Sequence, residues 1–90
     1  MEKYIIIGEY EDNSLTYVSN INPICWVNEE SLAKSYDYAI DAIHDILYEY
    51  QTFKITVLGT KVSYISILNT NSRKITPIID SVGNILIEDD

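Results

Sequence analysis

The chain has 90 residues and a formal net charge of -8, from 14 Asp and Glu against 6 Lys and Arg. An apolar fraction of 47% argues against disorder, and the length suits one domain. The acidic balance argues against direct DNA binding, because a phosphate backbone is met by clustered Lys and Arg, and only Arg73 and Lys74 adjoin.

In chain order, Lys3 to Tyr10 reads as a first strand whose run Tyr4-Ile5-Ile6-Ile7 is that of a buried strand. Glu11-Asp12-Asn13 is a polar turn, and Leu15 to Ser19 is the returning strand of a hairpin. Ile24 to Val27 forms a short third strand after Asn20, Asn22 and Pro23. Within it Cys25, the sole cysteine, reads as a buried, inert thiol that fits a reducing cytosol. Asn28 to Ala33 forms a preliminary turn.

The main helix is predicted over Asp37 to Gln51, capped by Ser35 or Asp37. Ala39, Ile43, Ile46, Leu47 and Tyr50 make one apolar stripe at the helical period. Beyond it a strand spans Phe53 to Leu58, with a turn at Gly59-Thr60 and a partner strand from Lys61 to Leu68. Asn69 to Ser72 is a turn cluster. Arg73 to Ile79 is a strand that Pro77 confines to an edge or a bulge. Asp80 to Gly83 turns, Asn84 to Glu88 ends the fold, and the tail Glu88-Asp89-Asp90 frays. The expected fold is a single acidic α+β domain over residues 1–90, an antiparallel sheet with one long helix packed on one face.

No apolar run approaches the roughly 18 residues of a membrane span, and Met1-Glu2-Lys3-Tyr4 lacks the basic start of a secretory signal. The expected location is therefore cytoplasmic. His44 has Asp41, Asp45 and Tyr48 within helical reach but reads as a surface residue rather than a metal ligand. Neither a Gly-rich phosphate loop, a Ser-His-Asp ordering nor an HExxH motif is present. The expectation is a protein that is not an enzyme, with no cofactor and no metal.

One pattern on the helix points to a partner. Asp37, Asp41, Asp45 and Glu49 recur every fourth residue, with no Lys or Arg from Asp37 to Gln51. Carboxylates at this spacing repel by a few tenths of a kcal/mol per pair, so the row is kept at a small cost. Their separation of about 6 Å per helical step resembles the spacing of phosphates along a nucleic-acid strand. The expected partner-binding residues are Asp37, Asp41, Asp45, Tyr48 and Glu49, with Tyr48 as apolar anchor at the edge of the row. The plain alternative is a solvated face. Tyr4, Tyr17 and Tyr64 are expected on the sheet, and some of Tyr36, Tyr38 and Tyr48 are expected in solvent.

The first half, from Tyr4-Ile5-Ile6-Ile7 through Trp26-Val27-Asn28-Glu29-Glu30-Ser31-Leu32-Ala33-Lys34-Ser35-Tyr36 to Ala39, resembles small phage accessory proteins of Gram-positive hosts. In these a β-hairpin precedes a Trp, an Ala-Lys-aromatic segment and a helix. The resemblance covers about half the chain and implies a phage setting and a host-cell cytoplasm. Small acidic proteins of that setting include inhibitors of host defence such as anti-CRISPR proteins, some of which imitate nucleic acid. The expected function is a non-enzymatic protein–protein interaction module, in that setting an inhibitor of a host defence or nucleic-acid-binding protein with a basic surface. The alternatives are a structural or assembly homo-oligomer built through a strand edge, and an antitoxin-like neutraliser of a basic partner.

Overall fold

A computed structural model describes residues 2–21, 23–52 and 62–87. The expected α+β architecture is present: an antiparallel sheet with one helix across a face. The central strand is β1, Tyr4–Glu9, in which Ile5 to Gly8 are all buried, as a strand covered on both faces requires. One of its edges pairs along its whole length with β5, Tyr64–Asn69. The other edge is shared. Its C-terminal half pairs with β2, Leu15–Ile21, and its N-terminal end pairs with the two-residue β4, Ser35–Tyr36. The Lys34 backbone N–H donates to the Val18 carbonyl at 2.8 Å, so β4 wedges between β1 and the diverging β2. The short β3, Ile24–Val27, flanks β2, and β6, Ile75–Asp80, flanks β5.

The turns follow the local chemistry. Between β1 and β2, Asn13 takes a positive φ of 71°, which Asn tolerates better than most residues. The Asp12 carboxylate accepts from the Ser14 hydroxyl and backbone N–H, and these bonds hold it below the usual carboxylate range. Asn69 Oδ1 accepts the backbone N–H groups of Asn71 and Ser72 in the next hairpin. Pro77 lies opposite Ser66 beside a bulge, as its missing N–H predicts, and the extra residue places both Ile78 and Ile79 in the core.

Helix α1, Ala39–Thr52, lays Ala42, Ile46 and Tyr50 against Ile6, Val18, Ile65, Ile67, Ile78 and Ile79. Gly8 permits close approach on this side. A Cβ there would lie 2.8 Å from Val62 Cγ1 and 2.9 Å from Trp26 Cζ3. The opposite face holds a second, smaller core of Ile5, Ile7 and Leu68 under Leu15, Tyr17 and Ala33. Ala33 ends a short 3-10 turn, Glu30–Leu32, and Arg73 forks onto both oxygens of Glu30 at 2.8 and 2.9 Å. That fork holds the Glu30 carboxyl below its ordinary range.

Several expectations need correction. The helix begins at Ala39 rather than Asp37, because Ser35 and Tyr36 are drawn into extended pairing with Ile5 and Tyr4. Cys25 is exposed, since β3 turns that side chain away from the core. The segment after Gly83 makes a single bridge, Ile79 to Ile85, rather than a strand. The predicted strand Phe53 to Leu58, the turn Gly59-Thr60 and the tail Glu88-Asp89-Asp90 lie outside the described residues. Both edges of β5 are filled, by β1 and β6.

Candidate interaction face

The four carboxylates of the predicted row do not share one environment. Successive helical residues four apart drift by about 40°, so three such steps turn a row by roughly 120° about the axis. Asp37 precedes the helix, is exposed and pairs with Lys3. Asp41 is exposed in the first turn, where a negative charge complements the helix dipole. Asp45 is half-buried. It accepts the Tyr36 hydroxyl at 2.7 Å and has Lys34 Nζ at 3.6 Å. Burial, and then the Asp45 bond, push the Tyr36 hydroxyl far above the usual tyrosine range. Lys34 also sits 5.1 Å above the Tyr36 ring, so lysine, tyrosine and aspartate form one small cluster.

Glu49, at the end of the row, is only 2% exposed, and its Oε2 is buried without a hydrogen-bond partner. The solvated row therefore consists of Asp37, Asp41 and Asp45. Two of these carry a lysine, and Asp41 has no ion pair among the described residues. Tyr48 is 66% exposed and lies about 20° from Asp41 around the axis, near the middle of the outward face rather than at its edge. Tyr38 and His44 are also exposed, while Tyr36 is buried.

A second feature adjoins this face. Ile40, Ile43 and Leu47 from α1, with Ile85 and Ile87 from the returning segment, line a groove of about 440 Å³ lipped by His44 and Gln51. The Tyr50 hydroxyl donates to the Gly83 carbonyl at 2.7 Å and fixes the returning segment against the helix. Sequence reasoning missed this groove. Its signal was Ile40, an isoleucine on the helix outside the predicted apolar stripe. Away from α1, a shallow cleft of about 490 Å³ places Tyr64 with Glu9, Tyr10 and Glu11.

Among the described residues, no three or more His, Cys, Asp or Glu side chains converge as a metal site would require. No described helix is long and apolar enough to cross a membrane. Comparison with protein-family models, with curated proteins and with solved structures finds no match to this chain. The outward side of α1 presents the exposed Asp41 carboxylate and the exposed Tyr48 ring.

Proposed function

We propose that the protein is a non-enzymatic interaction module that binds a basic protein surface through the outward side of α1. The observation that carries this reading is the pairing of exposed Asp41 and Tyr48 on a helix with no Lys or Arg. Carboxylates steer and orient a cationic partner, and a tyrosine ring supplies buried contact with a polar tip. Asp37 and Asp45 widen the acidic field, and Glu49 contributes none of the contact area because it is buried. The narrower form of the proposal is a phage-encoded inhibitor of a host defence or nucleic-acid-binding protein in the host cytoplasm. Its support is the first-half resemblance and the net charge of -8. Imitation of a nucleic-acid strand would rest on three carboxylates rather than four.

The test is a pull-down from a Gram-positive host lysate with salt-graded elution, comparing the parent with Asp41→Lys and Tyr48→Ala. Each variant should bind the captured protein about tenfold or more weakly, and Asp41→Lys should also lower the salt sensitivity. Retention of the same protein at the same salt by both variants would exclude α1 as the contact. The Tyr64 cleft would then be the surface to probe.

A further inference from the structure

The sheet face away from α1 is covered only in part. Strand alternation puts Tyr64, Ser66 and Leu68 of β5 on this side, with Ile5, Ile7 and Glu9 of β1. Leu68 is buried in the second core, but Tyr64 and Ile75, the partner of Leu68 on β6, are exposed. The cleft of about 490 Å³ runs from these two side chains to the first hairpin, and its volume is that of a small-ligand site.

Its chemistry has one sign. Glu9 and Glu11 are the only charged groups that line it, and neither has an ion pair among the described residues. The cations nearest Ile75 in the chain are engaged elsewhere. Arg73 grips Glu30, and Lys74 lines a separate cleft on the helix side with Ile43 and Ile67. Tyr10 and Tyr64 add two aromatic rings, and Leu15 and Ile75 add apolar surface. On the same face, between Tyr64 and Leu68, Ser66 is fully buried with a hydroxyl that has no hydrogen-bond partner.

Unpaired carboxylates, tyrosine faces and an unpartnered acceptor match one kind of head group. A guanidinium is planar and stacks on an aromatic ring, its N–H donors fork onto carboxylates, and it is more weakly hydrated than an ammonium. An anion would meet only carboxylates of its own sign, and the described His, Cys, Asp and Glu side chains do not converge as a metal site would require. We propose that this cleft binds an alkylguanidinium ion, with its head at Glu9, Glu11 and the tyrosine rings and its stem along Leu15 and Ile75. The proposal is independent of the acidic-face reading of α1, whose residues lie across the sheet.

The experiment titrates the full chain, at constant ionic strength, with butylguanidinium, butylammonium and butylurea, which keeps the plane and the stem without the charge. Binding is followed by amide and methyl NMR shifts. Butylguanidinium should shift Leu15, Tyr64, Ile75 and the amides from Glu9 to Asn13 in one saturable step, and leave Asp41 and Tyr48 unmoved. It should bind about tenfold tighter than butylurea and several-fold tighter than butylammonium. Tyr64→Leu, and Glu9→Gln with Glu11→Gln, should each remove most of that preference. Glu11→Gln alone, an exposed turn position, should remove part of it and stands in if the double variant does not fold. Ser66→Ala deletes an unpartnered hydroxyl, so it should keep the melting temperature and weaken butylguanidinium about threefold.

N-acetylarginine amide separates the two sources of the head group. Binding as tight as butylguanidinium assigns the cleft to an arginine side chain of another protein, and exclusion assigns it to a free small molecule; both uphold the guanidinium. Equal binding of butylurea, or binding unchanged in the Glu and Tyr64 variants, would overturn the proposal. So would shifts spread equally over Asp41 and the cleft, the pattern of a cation held loosely by net charge alone.

Discussion

Glu49 is buried with a carboxyl oxygen that has no hydrogen-bond partner, in a helix where its neighbours Ile46 and Tyr50 are packed in the core. Placing an unsatisfied polar group there costs on the order of 1–3 kcal/mol. Glu49→Met keeps the length of the side chain and removes the polar atoms, so it should stabilise the fold by about that amount. A urea or thermal unfolding curve measures this, and a lower midpoint for the variant would show that the carboxyl supports the native state. The sequence spacing placed Glu49 with Asp41 and Asp45 because a four-residue repeat looks like one face over two steps. The cumulative helical drift that takes it out of solvent becomes decisive only once the core direction is known. Cys25 misled in the opposite sense. Its neighbours Ile24, Trp26 and Val27 are apolar, yet strand alternation turns it outward.

At the scale of the element, α1 separates two aspartates that look equivalent in sequence. Asp45 is part of the Tyr36–Lys34 cluster and satisfies a buried hydroxyl. Asp41 is exposed and unpaired by any described cation. Asp45→Ala leaves the Tyr36 hydroxyl without its acceptor and should cost about 1–2 kcal/mol. Asp41→Ala loses a weak dipole interaction and relieves repulsion from its neighbours, and should stay within about 0.5 kcal/mol of the parent. Denaturant titration of the two variants decides the matter, and equal losses would show that the Tyr36–Asp45 bond adds nothing. The same contrast explains which elements were legible in the sequence. The hairpin turns at Asp12-Asn13 and Asn69 to Ser72, and the bulge beside Pro77, depend on side chains and a missing N–H within a few residues. They could be read directly. The start of α1 was misplaced by two residues because β4 is recruited by Tyr4 and Ile5, far away in the sequence. The groove was hidden for a similar reason, since Ile40 meets Ile85 only after the chain returns past β6.

For the molecule as a whole, pH sets two effects against each other. Acidification from neutrality towards the pI near 4.3 removes the self-repulsion of a net charge of -8 and favours the compact state. Against this stand carboxyls held below their ordinary range at the joints of the fold. Asp12 is bonded by Ser14 in the first hairpin, Glu30 is gripped by Arg73 over the second core, and Asp80 accepts from Asn84 and Val82 in the turn after β6. A group with a lowered folded-state pKa binds fewer protons in the native state than in the unfolded chain. Its stabilisation is complete above the unfolded values of about 3.9 for Asp and 4.3 for Glu, and is lost as pH falls through the lower native ones. The repulsion is diffuse and screened within about 8–10 Å at ordinary ionic strength, whereas the turn bonds are local and keep their geometry in salt. The urea midpoint should therefore rise modestly from pH 7 to about pH 5 and then fall below about pH 4. Added salt should flatten the first limb and spare the second. Asp80→Ala should lower the midpoint at pH 7 and make the acid limb shallower, because one of the linked protonations is gone. A midpoint that keeps rising to pH 3, or an acid limb unchanged in Asp80→Ala, would show that charge repulsion rather than the turn carboxylates governs stability at low pH.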